Sequence, residues 1–369
     1  MTEQPLVLQL IAPAPAGGAE TVVRSIASPN AERRYRHHVV ALLQGDADSP
    51  FVQSLEASAV PVSEVRCGRR HYGREAKAVG HLATRLGAEV IHSHVYHADL
   101  VGAWASKQTG LPIVATAHGL TGGDWKNRFY QWLDLKALRR FDGVIAVSQP
   151  LHDALLHVGC RPERLHLIPN GFVPGPRLDR ATARRELGLY PNCQVVGWVG
   201  RFTPEKNPLA FVDLIHRLDQ PRPRAIMMGD GPLLDQTRSR ATAAGLSPAG
   251  FLTPGRIDDA GRYLQALDVL VMTSRTEGTP MVLLEAMASG TPIVSFAVGG
   301  IPQVLDAQTA LLVPPGALEQ LAEAVVSTLQ GSDATQARVA RASAILEERF
   351  AADLWLDRIE AVYDTVRKS

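Results

Sequence analysis

Short apolar runs alternate with longer amphipathic stretches along most of the chain. In the first half, β-branched runs bounded by Gly, Pro or Asp predict strands at 6–11, 39–43, 90–94, 113–117 and 144–148. Apolar residues at helical spacing predict helices between them, at 20–27, 51–57, 77–86 and 99–109. The second half repeats the pattern, with strands predicted at 195–200, 225–229, 269–273, 292–295 and 310–313. This alternation predicts parallel sheets and an α/β fold.

A break in the pattern separates the two halves. Residues 168–176 read Ile-Pro-Asn-Gly-Phe-Val-Pro-Gly-Pro, a composition that is typical of a linker. We therefore predict two Rossmann-like domains, residues 1–173 and 174–349, which suits a chain of 369 residues. The stretch 350–369 predicts one amphipathic helix, and its periodicity leaves open whether it packs on the second domain or returns to the first.

Composition and charge exclude several classes of protein. With 38 Lys and Arg against 37 Asp and Glu, the formal net charge is +1, so we expect no nucleic-acid partner. The three cysteines, Cys67, Cys160 and Cys193, are far apart and form no CxxC pair, which favours a reducing compartment without structural zinc. Because no apolar run reaches 18 residues and 6–11 suits a strand better than a signal segment, we expect a soluble, cytoplasmic protein.

The segment 274–292 carries the most chemistry. Thr279 suits an N-cap and Pro280 the first helical position, and Gly290 is a natural end for the helix they begin. Glu277 then lies in the loop before the helix. The helix N-terminus, following a parallel strand, is typical of a phosphate site.

Glu285 lies about one turn inside the same helix. Together with Glu277 it can accept hydrogen bonds from two sets of sugar hydroxyls. The alternative is that Glu277 is a solvated loop residue and that Glu285 lies on an exposed helix face.

Two cations follow the strand 195–200. Arg201 and Lys206 lie on one strand-to-helix connection, where a guanidinium fork and a point charge suit a diphosphate. A surface loop that happens to carry two basic residues is the alternative.

These motifs follow one another in a definite order. In the second half they are Gly-Arg at 200–201, Lys-Asn-Pro at 206–208, Met-Gly-Asp-Gly-Pro at 228–232, Glu277 with Glu285, and Gly-Gly-Ile-Pro at 299–302. In the first half they are Ala-Gly-Gly-Ala-Glu at 16–20, Val-Ile-His-Ser-His at 90–94, Thr-Ala-His-Gly at 116–119, Ala-Val-Ser at 146–148 and Ile-Pro-Asn-Gly at 168–171. Over nearly its whole length the chain resembles the retaining glycosyltransferases of family 4, part of glycosyl transferases group 1. The resemblance implies the GT-B fold, with two Rossmann-like domains and their parallel sheets facing across an interdomain cleft.

The resemblance also implies roles for individual residues. The nucleotide-sugar would lie in the cleft, held mainly by the second domain. Arg201 and Lys206 would bind the diphosphate and stabilise the charge that develops on the leaving nucleotide. Glu285 would accept from the ribose hydroxyls and Glu277 from the donor sugar near its 3-hydroxyl. His118 would lie beside the sugar and the reacting carbon.

Further donor contacts come from backbone. Glycine at Gly17 and Gly18 would let the chain approach the phosphates, because no side chain obstructs it. The nucleobase would lie near Arg256 and Ile257. Phosphate and sugar would meet the helix N-terminus, formed by Gly278, Thr279, Pro280, Met281 and Val282.

The implied activity is a retaining, metal-independent transfer of a hexosyl unit from a nucleotide-diphosphate sugar to a saccharide or lipid-linked saccharide. The nucleotide-sugar is a co-substrate, and neither a cofactor nor a metal is implied. A front-face path, in which the leaving phosphate oxygen deprotonates the acceptor hydroxyl, is a hypothesis for the mechanism. The alternative function is a GT-B accessory protein that binds nucleotide-sugar and transfers nothing.

Two departures from the family pattern stand out. Gln303 occupies a position where the family commonly has glutamate, and 251–255 reads Phe-Leu-Thr-Pro-Gly where a Phe-Leu-Gly turn is usual. The second departure falls at the expected base pocket.

Other candidate sites have simpler interpretations. The Asp-Ala-Asp at 46–48 matches a metal-binding DxD, yet we interpret both aspartates as loop residues. His92, His94 and His97 lack an apparent fourth ligand, so strand-end packing or acceptor contact is preferred to a metal. No complete GxGxxG follows the first strand, which disfavours a nicotinamide site.

Basic residues are concentrated in two stretches of the first domain. Residues 66–85 have six Arg or Lys against one Glu, and 125–140 have five against one Asp, interleaved with Trp125, Phe129 and Trp132. One hypothesis is peripheral docking on the anionic inner face of a membrane, where lipid-linked acceptors reside. The alternative is a solvated helix face with aromatic residues that face the core.

Overall fold

The computed structural model describes residues 4–14, 18–30, 32–45, 47–68, 71–119, 136–173, 175, 177–257 and 259–368. The chain divides into two compact units. Unit 1 comprises Met1–Asn170 and Ala352–Ser369, and unit 2 comprises Gly171–Ala351.

Unit 1 contains a seven-stranded parallel sheet in the order β3-β2-β1-β4-β5-β6-β7. Its strands are β1 Leu6–Ile11, β2 Arg36–Leu42, β3 Val62–Val65, β4 Ala88–His94, β5 Ile113–Ala117, β6 Gly143–Ala146 and β7 Leu165–Leu167. Its helices before the crossing to unit 2 are α1 Gly18–Ala27, α2 Pro50–Ala57, α3 Tyr72–Leu86, α4 Tyr96–Thr109 and α5 Gln149–His157. The pattern analysis missed β3 and β7, which are short and lie at the two edges of the sheet.

Unit 2 contains a six-stranded parallel sheet in the order β10-β9-β8-β11-β12-β13. Its strands are β8 Val195–Val199, β9 Arg224–Met228, β10 Phe251–Gly255, β11 Val269–Met272, β12 Ile293–Phe296 and β13 Leu311–Val313. Its helices are α6 Arg180–Glu186, α7 Pro208–Arg217, α8 Leu234–Ala243, α9 Met281–Ser289, α10 Ile301–Val304, α11 Leu318–Leu329 and α12 Asp333–Phe350, with a 3-10 helix at Ala260–Ala266. The pattern missed the edge strand β10.

The chain returns to unit 1 for its final helix. Ala351 is extended and separates α12 from α13, Ala352–Arg367. The helix α13 buries Trp355, Ile359, Val362 and Tyr363. Leu354 is exposed, whereas its neighbour Trp355 takes an inward position.

Ion pairs fix α13 to the start of β2. The carboxylate of Glu360 is 3% exposed and lies 3.0 Å from both Arg33 Nη2 and Arg34 Nε. Arg367 pairs with Glu89 at the other end of the helix. The helix is therefore an integral part of unit 1.

No helix within the described ranges combines the length and the apolar character needed to cross a membrane.

Candidate functional site

The candidate site of unit 2 lies where its strand order reverses. The strands β8 and β11 are neighbours, and the chain leaves them in opposite directions across the sheet. Open α/β sheets bind ligands outside the carboxyl ends of the strands at such a point. The residues that follow these two strands include Arg201, Lys206 and Glu277, three of the predicted site residues.

Hydrogen bonds hold these two connections together. Thr273 Oγ1 donates to the carbonyl of Asn207 at 3.0 Å, and Arg275 N–H donates to the carbonyl of Glu205 at 2.7 Å. The indole of Trp198 donates to Thr273 Oγ1 at 3.2 Å. The loop that follows β8 is therefore anchored on the loop that follows β11.

Lys206 and Glu277 form the centre of this site. Lys206 Nζ lies 2.6 Å from Glu277 Oε1 and 2.8 Å from Oε2. Ser274 Oγ donates to the same Oε1 at 2.6 Å. The Glu277 side chain is 7% exposed and that of Lys206 is 22% exposed. Because an ammonium group has three N–H donors, Lys206 keeps one for a further acceptor.

The backbone of Glu277 rests on the glycine pair at 299–300. Gly300 N–H donates to the Glu277 carbonyl at 3.0 Å. Gly299 has a φ of +56°, and a Cβ there would overlap that carbonyl oxygen. Only glycine fits this position without displacing Glu277.

Two further glycines allow close contact with the backbone around Arg201. A Cβ at Gly229 would overlap the Gly200 carbonyl, and one at Gly231 would lie 2.7 Å from the Phe202 carbonyl. The Arg201 guanidinium is 45% exposed and lies 3.2 Å from Glu205. Each cation thus has its own carboxylate, and their joint binding of one diphosphate stays a prediction.

The helix α9 begins one residue later than predicted. Pro280 is its N-cap, with an extended ψ of 120°, and Met281 is the first helical residue. The prediction of Thr279 as N-cap was therefore wrong, and the side chain of Pro280, the observed N-cap, makes no capping hydrogen bond. Thr279, Pro280 and Met281 are buried, whereas Gly278 and Val282 are half-buried. Gly290 ends the helix in the left-handed region, as predicted.

Glu285 faces the 3-10 helix at Ala260–Ala266. A Cβ on Gly261 would lie 2.9 Å from the Glu285 carboxyl carbon, so the absence of a side chain there admits the carboxylate. Glu285 is half-buried, which disagrees with a fully solvated helix face. Arg256, which is exposed, and Ile257, which is half-buried, lie between β10 and this 3-10 helix.

The predicted residues of unit 1 are only partly described. Gly17 lies outside the described residues, and Gly18 is the exposed first residue of α1. Glu20, in the first turn of α1, accepts from Ala14 N–H at 2.6 Å. Of the Asp-Ala-Asp motif, Asp46 is outside the described part and Asp48 is exposed.

His118 follows β5 and contacts a second histidine. Its Nε2 lies 3.0 Å from His94 Nδ1. His94 Nε2 in turn lies 2.8 Å from Gln9 Oε1. Burial disfavours the imidazolium form, and it lowers the pKa of His118 to about 4 and that of His94 well below its usual value.

His92 and His97 have other partners. His92 lies 2.7 Å from Tyr363 Oη through Nδ1 and 2.8 Å from Thr116 Oγ1 through Nε2. His97 Nε2 lies 2.8 Å from the buried carboxylate of Glu75. Within the described ranges, no three His, Cys, Asp or Glu side chains are grouped as metal ligands. That the reaction is metal-independent stays a prediction.

Several residues that support these sites were assigned no role from the sequence. In unit 2 they are Ser274 and Glu205, which gave no distinctive signal. In unit 1 they are Gln9, Thr116 and Tyr363. Gln9 did carry a signal, because it is the one polar residue of a strand in which every position is buried.

Comparison with known proteins places the chain in a family. The model of Glycosyltransferase Family 4 matches residues 16–174, and that of Glycosyl transferases group 1 matches residues 193–331. An alpha-maltose-1-phosphate synthase of Mycolicibacterium smegmatis is 33% identical over 281 residues, 67% of this chain and 71% of that protein. The chain belongs to glycosyltransferase family 4. The predicted enzyme class, a glycosyltransferase, is therefore confirmed.

A second relative has a similar sequence identity to this chain. A D-inositol 3-phosphate glycosyltransferase of Mycobacteroides abscessus is 32% identical over 273 residues, which cover 68% of this chain and 60% of that relative's length.

Solved structures confirm the fold. Anabaena HepE in complex with UDP-glucose superposes with a TM-score of 0.84 at 26% identity, over 98% of this chain and 99% of that one. Sucrose-phosphate synthase of Thermosynechococcus elongatus gives 0.78 at 22% identity, over 98% of both chains. With two Rossmann-like units, the predicted GT-B fold class is confirmed.

Proposed function

We propose that this family 4 member transfers a hexosyl unit from a nucleotide-diphosphate sugar to a saccharide or lipid-linked saccharide, with retention and without a metal. The observation that carries the proposal is the Lys206–Glu277 pair at the switch point of unit 2, with Nζ within 2.8 Å of both carboxylate oxygens. Anabaena HepE, solved with UDP-glucose, supports a UDP-sugar as the first donor to test.

The cations of unit 2 suit the departing nucleotide. Breaking the anomeric bond leaves negative charge on a diphosphate, which fixed donors stabilise more in the transition state than in the ground state. Lys206 offers its remaining N–H. Arg201, which is 45% exposed, can turn from Glu205 to a phosphate as a bidentate donor. The N-terminus of α9, which begins at Met281, adds backbone N–H groups that suit an anion.

The two glutamates suit the hydroxyl groups of the donor. Glu277 is held by Lys206 and Ser274, so its carboxylate is already oriented before a sugar arrives. Glu285 lies against Gly261 of the 3-10 helix, which follows Arg256 and Ile257, the proposed base contacts, in the chain. Glu285 and that segment would hold the ribose and the base, while Glu277 takes the sugar.

Thermal-shift measurements with UDP, GDP and ADP, and with their sugars, test the donor site. A ligand at about 100 times its dissociation constant stabilises the folded protein by roughly 2.7 kcal/mol, which is readily measured. We expect one nucleotide series to raise the melting temperature. Flat responses to all three series would contradict the donor-site assignment.

The stereochemistry and the metal requirement have separate tests. NMR of the product should show the donor's anomeric configuration, and inversion would contradict retention. Activity should be unchanged after removal of divalent metal with EDTA. A protein that binds donor and forms no product with any saccharide acceptor would instead be an accessory subunit.

Peripheral membrane contact of unit 1 would bring it to lipid-linked acceptors. Arg74, Lys77 and Arg85 are exposed on α3, whereas Arg66 pairs with Glu64 at 2.8 Å. Residues 125–135 of the second basic stretch lie outside the described residues, and Arg139 and Arg140 are exposed. Basic side chains on one surface favour anionic lipid.

Co-sedimentation with vesicles tests this contact. We expect binding to vesicles that contain anionic phospholipid and none to pure phosphatidylcholine. Neutralising Arg74 and Lys77 together, or Arg139 and Arg140 together, should reduce it. Binding unaffected by both pairs of changes would contradict docking through these stretches.

A further inference from the structure

A buried polar network crosses the middle of unit 1. It contains Gln9 of β1, His37 of β2, His92 and His94 of β4, Thr116 and His118 at the end of β5, and Tyr363 of α13. Gln9, His92, His94 and Tyr363 are fully buried. The donor and acceptor of each hydrogen bond can be assigned, because the Gln9 amide oxygen can only accept and its nitrogen can only donate.

The Gln9 amide sets the direction of the network. Its Nε2 lies 3.1 Å from both Tyr363 Oη and His37 Nδ1, so both N–H groups have acceptors. Its Oε1 lies 2.8 Å from His94 Nε2. Turning the amide over would leave one of its two N–H groups without an acceptor among these contacts, in a residue with no exposed surface. The amide therefore faces His94 with its oxygen.

One branch of the network leads from Gln9 to His118. Because the Gln9 oxygen only accepts, His94 carries its proton on Nε2. A neutral imidazole has one N–H, so His94 Nδ1 accepts from His118 Nε2, 3.0 Å away. His118 then carries its proton on Nε2 and an unprotonated Nδ1.

The other branch agrees with this direction. Tyr363 Oη accepts from Gln9 and donates to His92 Nδ1 at 2.7 Å. His92 then donates from Nε2 to Thr116 Oγ1 at 2.8 Å. The hydrogen atoms that Gln9, Tyr363 and His92 contribute to this branch each have one acceptor, so the two branches are compatible.

Burial keeps the rings neutral, as the assignment requires. It lowers the pKa of His37 to about 3 and that of His118 to about 4, and the pKa values of His92 and His94 also lie well below the usual value. At neutral pH each of these rings has one N–H.

We propose that Gln9 is a positioning residue that holds His118, through His94, in the tautomer protonated on Nε2, so that Nδ1 accepts a hydrogen bond from a hydroxyl of the sugar. The proposal rests on the proposed function only in placing His118 beside the sugar. It adds a specificity: a hydroxyl can donate to Nδ1, whereas the carboxylate of a hexuronic acid cannot. The site should therefore favour a neutral hexosyl unit.

Nitrogen-15 NMR of histidine side chains at pH 7.5 tests the tautomer without any substrate. We expect His118 and His94 to be protonated on Nε2, with the His118 signals assigned by their loss in His118→Asn. His216 is an internal reference of the opposite kind, because its Nδ1 lies 2.9 Å from the Ala244 carbonyl, which can only accept. Protonation of His118 on Nδ1, or an equal mixture, would overturn the proposal.

Two variants distinguish a positioning role of Gln9 from a general contribution of the network to the structure of unit 1. Gln9→Met removes the acceptor with little change in volume, and we expect a mixture of His118 tautomers and a roughly tenfold lower kcat with the KM for donor little changed. Thr116→Val, the matched control, alters only the His92 branch and should keep the His118 tautomer. An unchanged tautomer in Gln9→Met would refute the role of Gln9. If Gln9→Met does not fold, the wild-type spectrum still shows whether His118 has the proposed tautomer.

The spectrum also separates this proposal from the proposed function. Adding the donor sugar should shift the His118 Nδ1 resonance, whereas the nucleotide alone should not. If His118 is protonated on Nε2 but its signals do not respond to any donor sugar, Gln9 still sets the tautomer. The proposed contact between His118 and the sugar would then be contradicted.

Discussion

Each unit carries its candidate groups near the carboxyl ends of the strands of its own parallel sheet, yet the chemistry of the two groups differs. Those of unit 2 are charged, pair as Lys206–Glu277 and Arg201–Glu205, and lie on loops. Those of unit 1 are neutral histidines joined to Gln9 inside the sheet. All but one of the twelve histidines belong to unit 1, and His216 is the exception.

The difference shows two ways to orient a side chain before a ligand binds. In unit 2, backbone contacts at glycines fix the loops, and ion pairs then compensate the partly buried charges. In unit 1, side chains fix one another, which requires that water be excluded and that the rings stay uncharged. Conditions that charge the histidines should therefore affect unit 1, and substitutions at glycines should affect unit 2.

Acid should produce the largest difference between the units. Since the pKa values of His37, His92, His94 and His118 are lowered in the folded state, the unfolded chain binds more protons below about pH 6.5. Their contribution to stability is complete above pH 6.5 and is lost as the pH falls towards 4. A ring that is protonated in the unfolded chain but not in the folded one lowers the free energy of unfolding by about 1.4 kcal/mol per pH unit in that range.

Hydrogen exchange at pH 7 and pH 5, resolved by peptide, measures this effect. We expect the protection of β1, β4 and β5 to fall, whereas that of β8 and β11 changes much less. Equal losses in both sheets would mean that the histidine network does not govern the acid response.

Of the three substitutions in unit 2 that test function, Gly299→Ala should have the largest effect. The added Cβ overlaps the Glu277 carbonyl at a positive φ, and the loop must move. We expect a loss of about 3 kcal/mol in the free energy of unfolding and no measurable transfer. Gly316→Ala is the matched control, because its φ is +79° but no atom lies within 4 Å of the added Cβ. It should cost about 1 kcal/mol and leave transfer intact.

Lys206→Ala should reduce kcat by about 10²- to 10³-fold, the usual result of removing one donor from a developing charge. The fold should survive, although Glu277 loses its cation. Lys107→Ala, at an exposed position of α4 in unit 1, is the control. Full activity of Lys206→Ala in a transfer assay would remove the charge-stabilising role.

Glu285→Gln should have the smallest effect. It retains one acceptor oxygen and the packing against Gly261, so we expect about tenfold weaker binding of the preferred nucleotide by calorimetry. The pH response of unit 1 should be unchanged. Unaltered affinity would argue against a ribose contact.

The fold followed from the sequence because buried parallel strands are strongly apolar. The strands that escaped detection, β3, β7 and β10, lie at edges, where short pairing and partial exposure weaken the pattern. The start of α9 was misplaced because Pro280 suits the position before a helix as well as its first turn.

The two sites differed in how far they could be predicted. The site of unit 2 is built from motifs of a few residues, and its glycines appear in the sequence at the positions where backbones meet. The site of unit 1 depends on Gln9 and Tyr363, which are 354 positions apart. No local pattern connects them, and only the folded chain shows that α13 completes the network.

The return of α13 to unit 1 has a consequence for synthesis. Unit 2 begins and ends at one place, where Phe172 N–H donates to the Phe350 carbonyl at 2.8 Å and Phe172 pairs with Ala351. A ribosome therefore makes all of unit 2 before it makes the helix that unit 1 still needs, and the later-translated unit can finish folding first. Until Tyr363 emerges, the nascent β1 strand holds a glutamine whose amide still lacks one of its hydrogen-bond acceptors.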